Sequence, residues 1–349
     1  MLIDQDRAAR PTDTGCPASH TRRTVLAAVL LAIAASGIPL MKQAAAADAL
    51  KSYPNRPIRV IVPQTAGSAL DTLARIFAVK VSEMLGQQMV VDNRGGAGGL
   101  LGMEIGREAP PDGYTLIIAG TAALAIVPLI HKKARYDSLK DFEFISIYAA
   151  QPNVLVVNQS QPPRTVKEFI DWARARGSEL HMASAGPGSA SHLVGTNFMM
   201  AAHLQSTHVP YKGGGPSVMA VIAGEAQWTL TPAAAVMSLV KSGRLRALGH
   251  TLPERTRLLG DLPAIAETLT GFDNVSETGL IAPKGTPRPI LNKLRNALVK
   301  VVNAPEMEAL IGEQGAVAVT STPEEYRKII ERHIVRYGDI VRVVGLKVE

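Results

Sequence analysis

Short β-branched runs alternate with helically spaced apolar residues from residue 58 onward, and that alternation leaves the chain few folds to choose from. Residues 58–62 (Ile58-Arg59-Val60-Ile61-Val62) read as a buried strand ended by Pro63. Residues 71–85 read as a helix, with Leu73, Ile76, Phe77, Val81 and Met84 at helical spacing and Gly86 as its stop. A second strand at 89–92, a glycine-rich turn, a helix to Ala109 and a third strand at 114–119 follow. This β-α-β-α-β order implies a parallel sheet with helices on both faces. The alternation resumes with strands at 153–158, 181–185, 207–209 and 245–250. Between them lie helices at 165–176, opened by a capping box from Thr165 to Glu168, and at 191–204 and 215–223. A last stretch starts with a strand at 278–283 and ends in two helices. The first carries Ile290, Leu291, Leu294, Leu298 and Val301 on one face, and the second opens at Thr322-Pro323. It holds too little strand for a domain of its own. The expected fold class is therefore α/β and two-lobed, each lobe a mainly parallel sheet flanked by helices. Residues 50–152 begin lobe one, 153–274 form lobe two, and 275–349 return to lobe one.

The start of the chain is a different kind of segment. Arg22 and Arg23 precede an apolar run from Val25 to Leu40, and small residues then lead to Ala47-Asp48-Ala49. Charged head, apolar middle and small-residue tail make residues 1–49 a secretory signal peptide, cleaved near Ala49. The paired arginines fit an ordinary signal or a twin-arginine one. Residues 1–20 read either as a long polar head or as an over-long start. A retained membrane anchor fits less well: a spanning helix needs about 20 apolar residues, and this run is shorter and holds Gly37 and Pro39.

The remaining 300 residues suffice for two domains, and they contain no second apolar run long enough to span a bilayer, so a soluble mature chain is expected. Five of the 37 Lys/Arg and four of the 30 Asp/Glu fall in the leader, which leaves a net charge of +6. No basic run or aromatic-basic stripe accompanies it, which argues against nucleic acid as a partner; a mild positive field suits small anions. The one cysteine, Cys16, is in the leader, so the mature chain has no disulfide, thiol nucleophile or thiolate metal site. The histidines are scattered without a metal-binding spacing, and neither metal nor cofactor is expected.

In a parallel α/β sheet, ligands bind beyond the carboxyl ends of strands, at the helix starts that follow. Three loops have that location. The first runs from Pro63 to Asp71, where Gly67 and Ser68 leave the backbone approachable and the first helical N–H groups, at Ala69 and beyond, favour an anion. Gln64 and Ser68 add side-chain donors, and Asp71 serves as a cap or orients N–H groups. Without a ligand it is an ordinary strand-to-helix turn. The second, from Ser184 through Gly186, Gly188, Ser189 and Ala190 to His192, repeats the same physics, and two such loops facing each other suit a small mono- or dicarboxylate. The third, Asp92 to Gly99, fits neither dinucleotide nor P-loop spacing and reads as a tight packing turn.

One catalytic near-miss stands beside these. Met182-Ala183-Ser184-Ala185-Gly186 resembles a nucleophile elbow with Met182 in place of the first Gly. His192, His203 and His208 follow too soon for the chain order of that triad, which leaves His250 as the partner of a Ser184 hydrolase.

Six segments in order carry a family likeness. They are Tyr53-Pro54-Asn55-Arg56-Pro57-Ile58, Val91 to Gly99, Pro111-Asp112-Gly113-Tyr114-Thr115-Leu116, His208-Val209-Pro210-Tyr211-Lys212-Gly213, Lys241 to Leu248, and Leu280 to Pro287. With them the chain from Tyr53 to about Gly345 resembles the Bug family of periplasmic solute receptors, the binding proteins of tripartite tricarboxylate transporters. The resemblance implies a periplasmic-binding-protein fold of the Venus-flytrap, type II-like kind, without catalysis, whose closed form docks on the permease subunits in the membrane. It implies a monomer that works in the periplasm and holds ligand carboxylates with the loops matching Gln64–Asp71 and Ser184–His192. The segment Gly120-Thr121-Ala122 lines the same cleft. Two departures bear on the ligand. Gln64, Ala66 and Ser68 replace the usual Phe, Pro and second Gly of the first loop, and Thr231-Pro232 stands where an acidic or amide pair is common. A ligand ammonium would lack its acidic partner, so the reading turns from amino acids toward hydroxylated or oxo acids. A sensory receptor that signals by protein contact would need the same fold.

Overall fold

The computed structural model describes residues 52–131 and 133–345. The segment expected to be a signal peptide, its expected cleavage site and Cys16 lie outside the described residues. From Pro54 onward the chain forms one unit built on two sheets. The first part supplies β1 (Ile58–Val62), α1 (Ala69–Leu85), β2 (Met89–Asn93), α2 (Leu100–Glu108), β3 (Thr115–Gly120), α3 (Val127–Ile130) and β4 (Phe142–Gln151). The middle supplies β5 (Asn153–Asn158), α4 (Val166–Arg176), β6 (His181–Ser184), α5 (Ala190–Ala202), β7 (Thr207–Pro210), α6 (Gly214–Ala223), β8 (Trp228–Pro232), α7 (Ala233–Lys241) and β9 (Leu245–His250). The last part supplies β10 (Ser276–Pro283), α8 (Arg288–Val302), α9 (Pro305–Glu313), β11 (Val317–Ala318) and α10 (Pro323–Val344).

Local chemistry accounts for the helix ends. Ser68 caps α1 by accepting from the Asp71 N–H, and Gly86 closes it in the left-handed region at φ 68°. Thr322 and Glu325 make the reciprocal box that opens α10, with Pro323 in its first turn. At α4 the expected box is half formed. Thr165 accepts from the Glu168 N–H at 3.1 Å, but Glu168 accepts from the Arg164 N–H at 2.8 Å instead of reaching back to Thr165.

The sheets are mixed, not mainly parallel. In sheet one, β2, β1 and β3 run parallel as the alternation implies, but β10 enters between β3 and β4 and opposes both. In sheet two, β7, β6 and β8 run parallel, and β5 opposes β8 and β9. The reason is how the chain travels. It leaves sheet one along β4, passes the single residue Pro152, and enters sheet two as β5; it comes back as β10. A strand that returns through the crossing must oppose the strand that left. The crossing segments hold each other. Thr251 accepts from the Asn153 N–H at 2.9 Å through its hydroxyl and donates its own N–H to Asn153 O at 3.0 Å. Asn274 donates its N–H to Thr251 O at 3.2 Å.

Each sheet buries its own apolar cluster. Sheet two centres on Trp228, Phe169 and Phe198, and sheet one on Ile117, Phe144 and Tyr326. Fully burying such a side chain contributes about 1.5–3 kcal/mol. α10 ties the parts together: Tyr326 near its start packs edge-on to Phe144 of β4, and Tyr337 further along donates its hydroxyl to Asn274 Oδ1 at 3.0 Å.

Candidate functional site

The first and second loops fold into one and the same shape at the starts of α1 and α5. Ser68 and Ser189 are the N-caps, at φ/ψ of −71°/160° and −66°/160°. Each serine hydroxyl accepts from the N–H three residues on, in Asp71 and His192. Each is preceded by a glycine in the left-handed region, Gly67 at φ 79° and Gly188 at φ 73°, where a side chain would strain the backbone. Each of these glycines donates its N–H to the side chain four residues on: Gly67 to Asp71 Oδ2 at 2.8 Å, Gly188 to His192 Nδ1 at 3.0 Å. What remains is a pair of first-turn N–H groups per loop, at Ala69 and Leu70 and at Ala190 and Ser191, with no acceptor among the described residues. Ala69 and Ala190 are exposed. Two N–H groups at the positive end of a helix are suited to hold an anion.

Asp71 is the anchor of the first loop. It is buried, and besides the Gly67 N–H it accepts from Asn93 Nδ2 at 2.9 Å and pairs with Arg75. Burial alone pushes its carboxyl up, but Gly67, Arg75 and Asn93 outweigh that and hold it below the usual carboxylate range. Asn93 also donates to Gln64 O at 3.2 Å, so the third loop serves the first as a brace. Its glycine-rich turn and the helix after it permit a close approach: a Cβ on Gly95 would sit 3.0 Å from Thr65 N, and one on Gly102 of α2 2.7 Å from Pro63 Cα. The Gln64 side chain is half-buried and makes no hydrogen bond among the described residues.

His192 plays the matching part in the second loop without a charge. Accepting on Nδ1 places the proton of the neutral ring on Nε2. Its ring stacks on His208 at 3.9 Å between centroids. Burial, and then the neighbouring His208, push its pKa down to about 4; burial lowers His208 as well. Ser184 is fully buried, accepts the Gly186 N–H at 3.1 Å and lies 2.6 Å from His208 Nε2. Chain order does not therefore separate Ser184 from its histidine: parallel pairing of β6 with β7 sets Met182 against His208. A buried serine is nonetheless the reverse of the exposed nucleophile that an elbow presents.

Thr121 is buried and committed elsewhere. Its hydroxyl donates to Glu277 Oε2 at 2.7 Å and accepts the Glu277 N–H at 2.9 Å, and His333 Nε2 sits 2.8 Å from the same carboxylate oxygen. Ala122 is exposed. The segment these two begin packs toward α5: a Cβ on the preceding Gly120 would sit 3.9 Å from Leu70 Cδ1 of α1, and Ala125 shares a buried cluster with Leu193 of α5 and with Tyr337 and Ile340 of α10. Sequence reading misses Asn93, Arg75, His208, Glu277 and His333; the i,i+4 spacing of Asp71 and Arg75 could have signalled the second, whereas the others join the site through strand pairing or packing that no local motif signals.

Comparison with known proteins bears on this arrangement. Residues 73–346 match the family described as tripartite tricarboxylate transporter family receptor. Protein BugT of Bordetella pertussis is 31% identical over 93% of this chain and 98% of its own. A solved R. palustris protein with adipate is 31% identical, with a TM-score of 0.67 over 84% of this chain and 98% of that one. MatC of Rhodopseudomonas palustris with bound malate is 28% identical, with a TM-score of 0.63 over 83% and 99%. With two serine-capped loops on two mixed sheets and a match along nearly its whole length, the chain belongs to the receptor family of the tripartite tricarboxylate transporters, the Bug-type periplasmic binding proteins.

Proposed function

We propose that this receptor captures a small organic carboxylate between its lobes, with residues 50–152 and 275–349 as one lobe and 153–274 as the other. The observation that carries it is the duplicated loop, which offers two unclaimed N–H groups at a helix start in each lobe. Relatives solved with adipate and with malate support a carboxylate as the ligand class. Gln64 and Ser68 add donors at loop one, and Thr231-Pro232 supplies no acid to a ligand ammonium, which favours a hydroxylated or oxo acid over an amino acid. The ligand touches both lobes and so shifts their open–closed equilibrium. The chain acts as an exported monomer, its leader cleaved near Ala49, without catalysis, and hands its ligand to the permease.

Thermal-shift screening against a carboxylate library that includes malate and adipate tests this. A ligand that binds only the native state raises the melting temperature. Ser68→Trp and Ser189→Trp each abolish the shift. Failure of every acid to stabilise the protein, or binding that survives both substitutions, sinks the assignment. The 2.6 Å contact between Ser184 and His208 favours one second reading, an ester hydrolase. Ester turnover that disappears in Ser184→Ala would establish it.

A further inference from the structure

A groove of about 860 Å³ opens beside the crossing segments, and no residue of either serine-capped loop lines it. One wall is Val317, Val319 and Ile329, from β11 to α10; the other is Leu252 and Val275, on the segments that leave and re-enter the crossing. Leu252 and Val275 form one apolar cluster with Ala150, against which Val317 and Val319 pack. The charged groups that face the groove are largely taken. Asp273 pairs with Arg336, Glu277 with Thr121 and His333, and Arg255 with Glu267; Glu325 accepts from the Thr322 N–H. Lys328 and Arg332, four apart on one face of α10, form no ion pair within 4 Å among the described residues, although Lys328 is near enough to favour the charged form of Glu325 one turn before it. Across from them, Glu254 is likewise without an ion-pair partner among the described residues.

We infer that this groove binds a small amphipathic organic anion, with its apolar body along Val275, Val317, Val319 and Ile329 and its acid group at Lys328 and Arg332. Apolar side chains supply most of the exposed wall, and charged and hydroxyl groups line the rest, a make-up that suits a ligand with both an apolar body and a polar head. Arg332 and Lys328 on one side, with Glu254 on the other, set the direction in which the anion lies. The acid group alone does not account for the site, because the apolar walls contribute only to a ligand with a hydrocarbon body. The site is separate from the cleft and does not rest on it.

Equilibrium dialysis of radiolabelled octanoate and acetate against the mature protein tests the inference. Octanoate is expected to bind about tenfold or more tightly than acetate, and K328E/R332E to weaken it by about tenfold or more. Both residues are exposed, so the double variant keeps its fold. Ser189→Trp is expected to leave octanoate binding unchanged. The inference is overturned if octanoate does not bind, if it binds no better than acetate, or if K328E/R332E binds it as well as the parent. Loss in Ser189→Trp alone would assign octanoate to the cleft and overturn it too.

Discussion

The loop at α1 and the loop at α5 have the same backbone, the same serine cap and the same glycine bonded to a side chain four residues on, yet one is held by an ion and the other by a neutral ring. Asp71 keeps its charge because Gly67, Asn93 and Arg75 surround it; His192 stays uncharged because burial and the stacked His208 disfavour its cation. The loop shape therefore needs only an acceptor at that position, not a charge. What the charge changes is the wiring. Besides the Gly67 N–H, Asp71 joins two groups from outside the loop, Asn93 and Arg75, whereas His192 engages one N–H and a ring face.

The comparison can be broken most directly at these two side chains. Asp71→Ala strands the Gly67 N–H and takes one bond each from Asn93 and the half-exposed Arg75, and should cost about 3 kcal/mol in urea unfolding. His192→Ala strands one N–H and loses a stacking contact, and about 2 kcal/mol is expected. Equal losses would mean the wiring does not matter. Acid separates the loops next. The unfolded chain protonates histidine near 6.5 and the folded His192 near 4, so its stabilising share is full above pH 6.5 and is lost as pH falls toward 4. That share is roughly 3 kcal/mol, with His208 acting in the same direction, and it should vanish from the stability–pH curve of His192→Asn. The share of Asp71, whose carboxyl is held low, is present above its ordinary 3.8 and is lost only as pH falls below that value. The smallest effect tests the likeness: Ser68→Ala and Ser189→Ala should each cost about 1 kcal/mol, and by equal amounts.

Both loops are legible in the sequence because their determinants are local. The glycine-serine turns and the helices after them lie where the sequence puts them, but the caps are Ser68, not Asp71, and Ser189, so α1 starts two residues and α5 one residue earlier than read; the strands at 58–62 and 153–158 follow their β-branched runs, and the one at 245–250 its spaced leucines. What stays hidden depends on partners far along the chain. β4 is missed because its alternation in Phe142–Gln151 is short of turn signals on its far side, where only Pro152 separates it from β5. α7 and α9 are missed too, the latter leaving three helices after β10 where two were expected. The direction of β10 follows from the crossing, which no window of residues contains. Glu277 beside Thr121, and His208 beside Ser184, are products of sheet pairing at separations of 156 and 24 residues.

The place of β10 also fixes an order of assembly. β3 and β4 are near neighbours in the chain but do not touch as strands; residues 276–283 must come between them. As the chain is made, sheet one stays split, with two open edges, until nearly 280 residues exist. Open edges invite wrong pairing, and a closure that waits on so distant a segment is slow. Sheet two has all five of its strands by residue 250, and it can be complete first. In pulsed hydrogen exchange its amides should gain protection early, while β3, β4 and β10 gain theirs late and together.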